Sequence, residues 1–123
     1  MNASPRRLIR APQVEAFRQA QRERFEAEME AWLRARIPVW AEASREEMRT
    51  FVQSARHLGR TFGFFAGDDV RRWIALIGPY GLNFGTTPET LWACPLLNDI
   101  FQSPEKRLEA LEAAAARQEK SRP

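Results

Sequence analysis

The sequence predicts an all-α, single-domain bundle of about five helices, led by a long N-terminal one. Apolar residues recur at helical spacing in successive segments. Prolines, glycines and capping residues separate those segments. No stretch alternates apolar and polar residues as a half-buried strand would. The 123 residues fit one compact domain, and 44% apolar content with eight Phe and four Trp is the composition of a globular chain.

Residues 1–10 carry no periodicity and read as a flexible arm with a basic end at Arg6, Arg7 and Arg10. A helical domain is expected over 11–118, with a frayed tail at 119–123. Pro12 suits the first turn of the first helix, where its missing N–H is not needed. Val14, Phe17, Phe25, Met29, Trp32 and Leu33 then form one apolar stripe, interrupted by Gln21. Ile37-Pro38 stops this helix, because the residue before proline is pushed out of the α region. Val39–Ala43 reads as a short connection with apolar anchors.

Ser44-Arg45-Glu46-Glu47 is a capping-box pattern. It opens a second helix with Met48, Phe51, Val52, Ala55 and Leu58 on the buried face and Gly59 as its left-handed end. Arg60–Gly67 reads as a turn that docks aromatics. Gly67 or Asp68 caps a third helix with Val70, Trp73, Ile74 and Ile77 along its stripe, and Gly78-Pro79-Tyr80-Gly81 breaks it. Thr87-Pro88-Glu89 starts a further segment with Leu91, Trp92, Leu96, Leu97, Ile100 and Phe101. Pro95 inside it calls for a kink or two short helices. Ser103-Pro104-Glu105 starts the last helix, with Leu108, Leu111 and Ala115 on one face.

Several function classes are poorly served by this chain. One Cys and one His make no internal disulfide and no zinc site by themselves. His57 near a helix end and Cys94 in an apolar run each have a structural reason, so no catalytic dyad is read from them. Asp68-Asp69 suits a helix start, and Glu26 with Glu30 sits among arginines rather than in an apolar pocket that would shift a carboxyl. The glycines match no nucleotide-binding loop. No catalytic, cofactor-binding or metal-binding residue is assigned, and no cofactor or small-molecule substrate is expected.

No apolar run reaches the roughly 20 residues that span a bilayer, and the N-terminus leads into no signal-type apolar stretch. The expected address is the cytoplasm. Residues 1–60 hold twelve Arg against eight Glu, a net +4, whereas 61–123 sum to −1. Glu15, Glu23 and Glu26 interrupt the basic residues of the first helix, which argues against nucleic acid as the partner. The aromatic surplus stands out instead. Trp40, Phe62, Phe64, Phe65, Tyr80, Phe84 and Trp92 crowd the connections, where binding residues gather; most are expected to fill the core and some to form a partner-facing patch, which makes them the candidate partner-binding set.

Leu8-Ile9-Arg10-Ala11-Pro12-Gln13-Val14-Glu15-Ala16-Phe17, then Phe25, Trp32-Leu33-Arg34 and Pro38, resembles the opening of a family of small bacterial helical proteins. Phe62-Gly63-Phe64, Asp68-Asp69-Val70, Gly81, Phe84 and Trp92 extend the resemblance over about residues 8–115. Such proteins are encoded beside type VI secretion spike, PAAR-tip and toxic effector genes. The resemblance implies an accessory role with a secreted effector or spike component as partner. It carries no catalytic motif. The expectation is a non-enzymatic adaptor or chaperone, with an immunity protein as the alternative and a nucleic-acid-binding helical protein as the alternative from another class.

Overall fold

In a computed structural model, the backbone is described over residues 4–121 and the side chains over 13–121. Six α-helices follow one another: α1 (Ser4–Arg36), α2 (Pro38–Ala41), α3 (Arg45–Thr61), α4 (Gly67–Ile77), α5 (Cys94–Leu97) and α6 (Pro104–Ser121). A 3₁₀ helix at Pro88–Ala93 leads into α5, and no strand occurs among the described residues. The chain is therefore an all-α bundle with a long N-terminal helix.

Helix α1 starts at Ser4 rather than Pro12, so the described part of the expected arm is helical. Arg, Leu and Ala favour helix in this stretch. Its remainder, residues 1–3, lies outside the described residues. At the other end α6 runs to Ser121, into the expected frayed tail, of which residues 122 and 123 are also outside them. The stop at Ile37 is as the sequence requires: φ −119° and ψ 112° are extended, and Pro38 opens the single turn α2.

Helix α4 is the centre of the bundle, packing against α1, α3 and α6. Trp73, Ile74 and Ile77 on α4 are fully buried, together with Leu33, Met48, Val52, Leu108 and Leu111 from the surrounding helices. Three ion pairs between helices tie the outside of this packing. Arg56 reaches Glu26 at 3.2 Å between α3 and α1, and Arg71 reaches Glu28 at 2.7 Å between α4 and α1. Arg72 grips Glu112 on α6 through two bonds of 3.0 and 2.6 Å. That fork raises the Arg72 pKa above its ordinary value, the Glu112 hydrogen bond being the main cause.

The capping box of α3 forms as written in the sequence. The Glu47 N–H donates to the Ser44 hydroxyl and the Ser44 N–H donates to the Glu47 carboxylate, both at 3.0 Å. The other end of α3 departs from expectation. Gly59 lies inside the helix with no positive φ, because what it provides is room. A Cβ there would meet Trp73 Cδ1 at 2.7 Å. The indole lies against this bare backbone and donates to the Ala55 carbonyl at 2.8 Å. The left-handed residue is Gly63, at φ 90°. Phe64 N–H donates to the Gly59 carbonyl and Gly63 N–H to the Arg60 carbonyl, the paired closure of a Schellman motif. This closure turns Phe64 inward under the bundle.

Helix α4 is capped by Ala66, with no side-chain bond, rather than by Gly67 or Asp68. Asp68 and Asp69 stand in its first turn, where the helix dipole favours them. Pro95 divides the following segment into the 3₁₀ helix and α5, as its missing N–H demands. Buried Thr90 organises the preceding loop, accepting from the Gly85 N–H at 2.9 Å and sharing a 2.6 Å bond with the Thr87 hydroxyl.

Candidate functional site

The aromatic residues singled out in the sequence do come together, but mainly as core. Phe64 and Phe84 are buried, so they offer no face to a partner in this fold. Both pack on Trp73, with ring centroids at 5.2 and 5.9 Å. The ladder continues through half-buried residues: Phe62 lies 5.7 Å from Trp73, and Tyr80 and Trp92 lie 5.3 and 5.5 Å from Phe84. Trp40 is also half-buried. It stacks on Phe51 at 4.5 Å and donates its indole N–H to the Gly78 carbonyl at 2.9 Å, which pins α2 to the end of α4. Only Phe65 of the set is exposed, at 67%. Phe62, Phe64, Tyr80 and Phe84 sit on connections folded back over the core, and Trp40 and Trp92 on α2 and the 3₁₀ helix, so most of the aromatic surplus packs against the core.

The exposed apolar residues lie elsewhere. Ile100 and Phe101 are 86% and 90% exposed. They belong to no helix stripe, because α5 ends at Leu97 and a turn follows. The Asp99 carboxylate accepts from the Phe101 N–H at 3.1 Å and the Asp99 carbonyl accepts from the Gln102 N–H at 3.2 Å. These bonds close the turn with both side chains outside. The sequence signal was Asn98-Asp99, a turn-forming pair immediately before the two apolar residues.

Helix α1 supplies the second exposed region. Every side chain from Gln13 to Arg24 is exposed, and the buried stripe begins only at Phe25. Val14 and Phe17, expected in the core, stand in solvent, Phe17 at 63%. Val14 and Phe25 are about three turns apart and share a face. The apolar stripe therefore runs on past the end of the bundle, because α3 pairs antiparallel with α1 and ends beside Arg22.

Where α1 leaves the bundle, an open cleft of about 270 Å³ lies against the C-terminal half of α3. Arg22 and Glu26 form one wall, Arg56, His57 and Arg60 the other, and Phe65 stands at its edge. Arg56 is committed to Glu26 and to the Phe25 ring, 5.4 Å away. Arg22 bonds only the Gln19 side chain, at 2.6 Å, and the Arg60 guanidinium lies 6.0 Å over Phe65. Neither has a carboxylate partner among the described residues.

His57 and Cys94 are not joined by any described contact. His57 lines the cleft on α3, whereas Cys94 stands exposed at the start of α5, where Asn98 donates to its sulfur at 3.6 Å. Cys94 is thus not the small buried residue that its apolar run suggests: Ala93 and Leu97 take the inward positions of that turn. Among the described residues no three His, Cys, Asp or Glu side chains are placed to hold a metal ion. No described helix is long and apolar enough to cross a membrane.

The class that fold and surface define is a small all-α bundle with ordered apolar side chains outside its core. Compared with protein-family models, curated proteins and solved structures, the chain matches none.

Proposed function

We propose that this chain is a non-enzymatic accessory protein whose work is to bind another protein. The observation that carries this reading is the Asp99–Gln102 turn, which holds Ile100 and Phe101 in water by its own hydrogen bonds. Large apolar side chains kept outside by a defined turn fit an interaction surface better than a fold still seeking a core. Phe65 and the Val14–Phe17 stretch of α1 enlarge the apolar surface available to a partner.

The resemblance in the sequence makes the partner a secreted effector or spike component of a type VI secretion system, with this chain as adaptor or chaperone. Co-expression with the products of adjacent genes tests this. The reading expects one of them to co-purify with the chain, and to lose it on joint replacement of Ile100 and Phe101 by Ser. A folded chain that retains none of these products overturns it. Deleting the gene separates the roles: lost secretion marks a loader, and killing by sister cells marks an immunity protein.

A further inference from the structure

We propose that the cleft between α1 and α3 is the docking site for an acidic amphipathic helix of a partner protein. The proposal rests on the protein-binding reading and adds the partner's chemistry to it. Three arginines from two helices line the cleft, and among the described residues Arg56 alone of the three is paired with a carboxylate, that of Glu26. Arg22, on the Gln19 side chain, and Arg60, over the Phe65 ring, line the cleft without a carboxylate partner among the described residues, and His57 stands beside them. Arginines held on helices fork naturally onto carboxylates.

The size of the cleft narrows the ligand. At about 270 Å³ it falls just short of the ~300–1,000 Å³ of sites that enclose a whole small molecule. It suits one or two side chains of something larger. Apolar surface flanks the charge, with Phe65 at the edge of the cleft and exposed Val14 about two turns beyond Arg22 on α1. A helix bearing Glu or Asp on one side of an apolar stripe satisfies both features. A nucleic acid satisfies them less well. Phosphate binding draws on many cations along a track, and here Glu23, Glu26 and Glu28 alternate with the arginines of the same helix.

The test is fluorescence anisotropy on the full chain. Its probe is a labelled peptide repeating Leu-Glu-Ala-Leu-Glu-Glu-Ala. A second peptide carries Lys in place of Glu, and a thymidine oligonucleotide is the third probe. The Glu peptide is expected to bind saturably and the Lys peptide not to bind. Arg22→Ala and Arg60→Ala should each weaken the Glu peptide by about three- to fivefold, the upper range for solvent-facing ion pairs. Arg45→Ala, at an exposed site away from the cleft, should leave it unchanged. Unaltered thermal melts of the variants will show that folding is intact.

Absence of saturable binding to the Glu peptide, or equal binding by the Arg22 and Arg60 variants, overturns the proposal. Tighter binding of the oligonucleotide overturns it in favour of a nucleic-acid surface. Co-purification with a neighbouring gene's product separates this proposal from the broader reading. If that product stays bound when Arg22 and Arg60 are both changed to Glu, the cleft is not its docking site and the protein-binding reading stands.

Discussion

Replacing Gly59 by Ala puts two opposing effects at one atom. In a helix interior Ala is favoured over Gly by about 1 kcal/mol, so propensity alone predicts a more stable protein. The added methyl, however, would lie 2.7 Å from Trp73 Cδ1 and 3.0 Å from Nε1. An indole is rigid and this one is fully buried, so relief requires α3 and α4 to move apart. Overpacking of that kind costs about 1–3 kcal/mol, and displacing the indole endangers its 2.8 Å bond to Ala55, worth about 1 kcal/mol more. The expected result is a net loss of about 1–3 kcal/mol, seen as a fall in Tm of roughly 4–12 °C for a domain of this size. Thermal unfolding followed by circular dichroism measures it. Gly67→Ala is the control, because nothing lies within 4 Å of its added methyl; it should hold or raise Tm. A Gly59→Ala protein melting at or above the wild-type temperature would refute the close α3–α4 crossing.

Other outcomes follow from the same packing. Phe84→Ala and Phe64→Ala should each cost about 3–5 kcal/mol as buried rings are lost, whereas Phe65→Ala should change the unfolding free energy measured in urea by less than about 0.5 kcal/mol. Joint replacement of Ile100 and Phe101 by Ser should be equally silent in stability, and a loss above about 1 kcal/mol would mean that the turn is docked on the bundle. Hydrogen bonds from the Ser44 backbone and hydroxyl region hold the Glu47 carboxyl below the usual glutamate range. A lowered folded-state pKa gives stability that is present above the unfolded value and lost as pH falls through the folded one. Acidification should therefore fray the first turn of α3, read from its Cα chemical shifts, and Glu47→Gln should remove that pH response.

The fold was legible where a residue type has one local meaning. Ser44 and Glu47 can cap, Ile37-Pro38 must leave the helix and Pro95 must divide one, and each does so. Gly59 and Gly63 show where local reading stops. Both are glycines near a helix end, and only tertiary packing assigns the close approach to Gly59 and the left-handed turn to Gly63. Periodicity has a similar limit. Val14 continues the stripe of Phe25, but whether a helix meets a neighbour depends on the length of that neighbour, and Phe17 lies about 80° round the helix from Phe25. Of the aromatic set Phe65 alone is exposed, and Trp40 and Trp92 stand within α2 and the 3₁₀ helix rather than in connections. Phe64 and Phe84 turn inward because their loops fold back onto Trp73, a contact between segments that no single stretch of sequence carries. The cleft was hidden for the same reason, since Arg22 and Arg60 are distant in sequence and meet through the pairing of α1 with α3.

The most direct test is amide hydrogen exchange of the chain, alone and bound to the product of a neighbouring gene. Gripping of that partner predicts new protection at the Asp99–Gln102 turn, around Phe65 and along the exposed Gln13–Arg24 stretch of α1, with little change at the far end of α6. Protection confined to other faces, or none at any of these segments in a demonstrated complex, would contradict it.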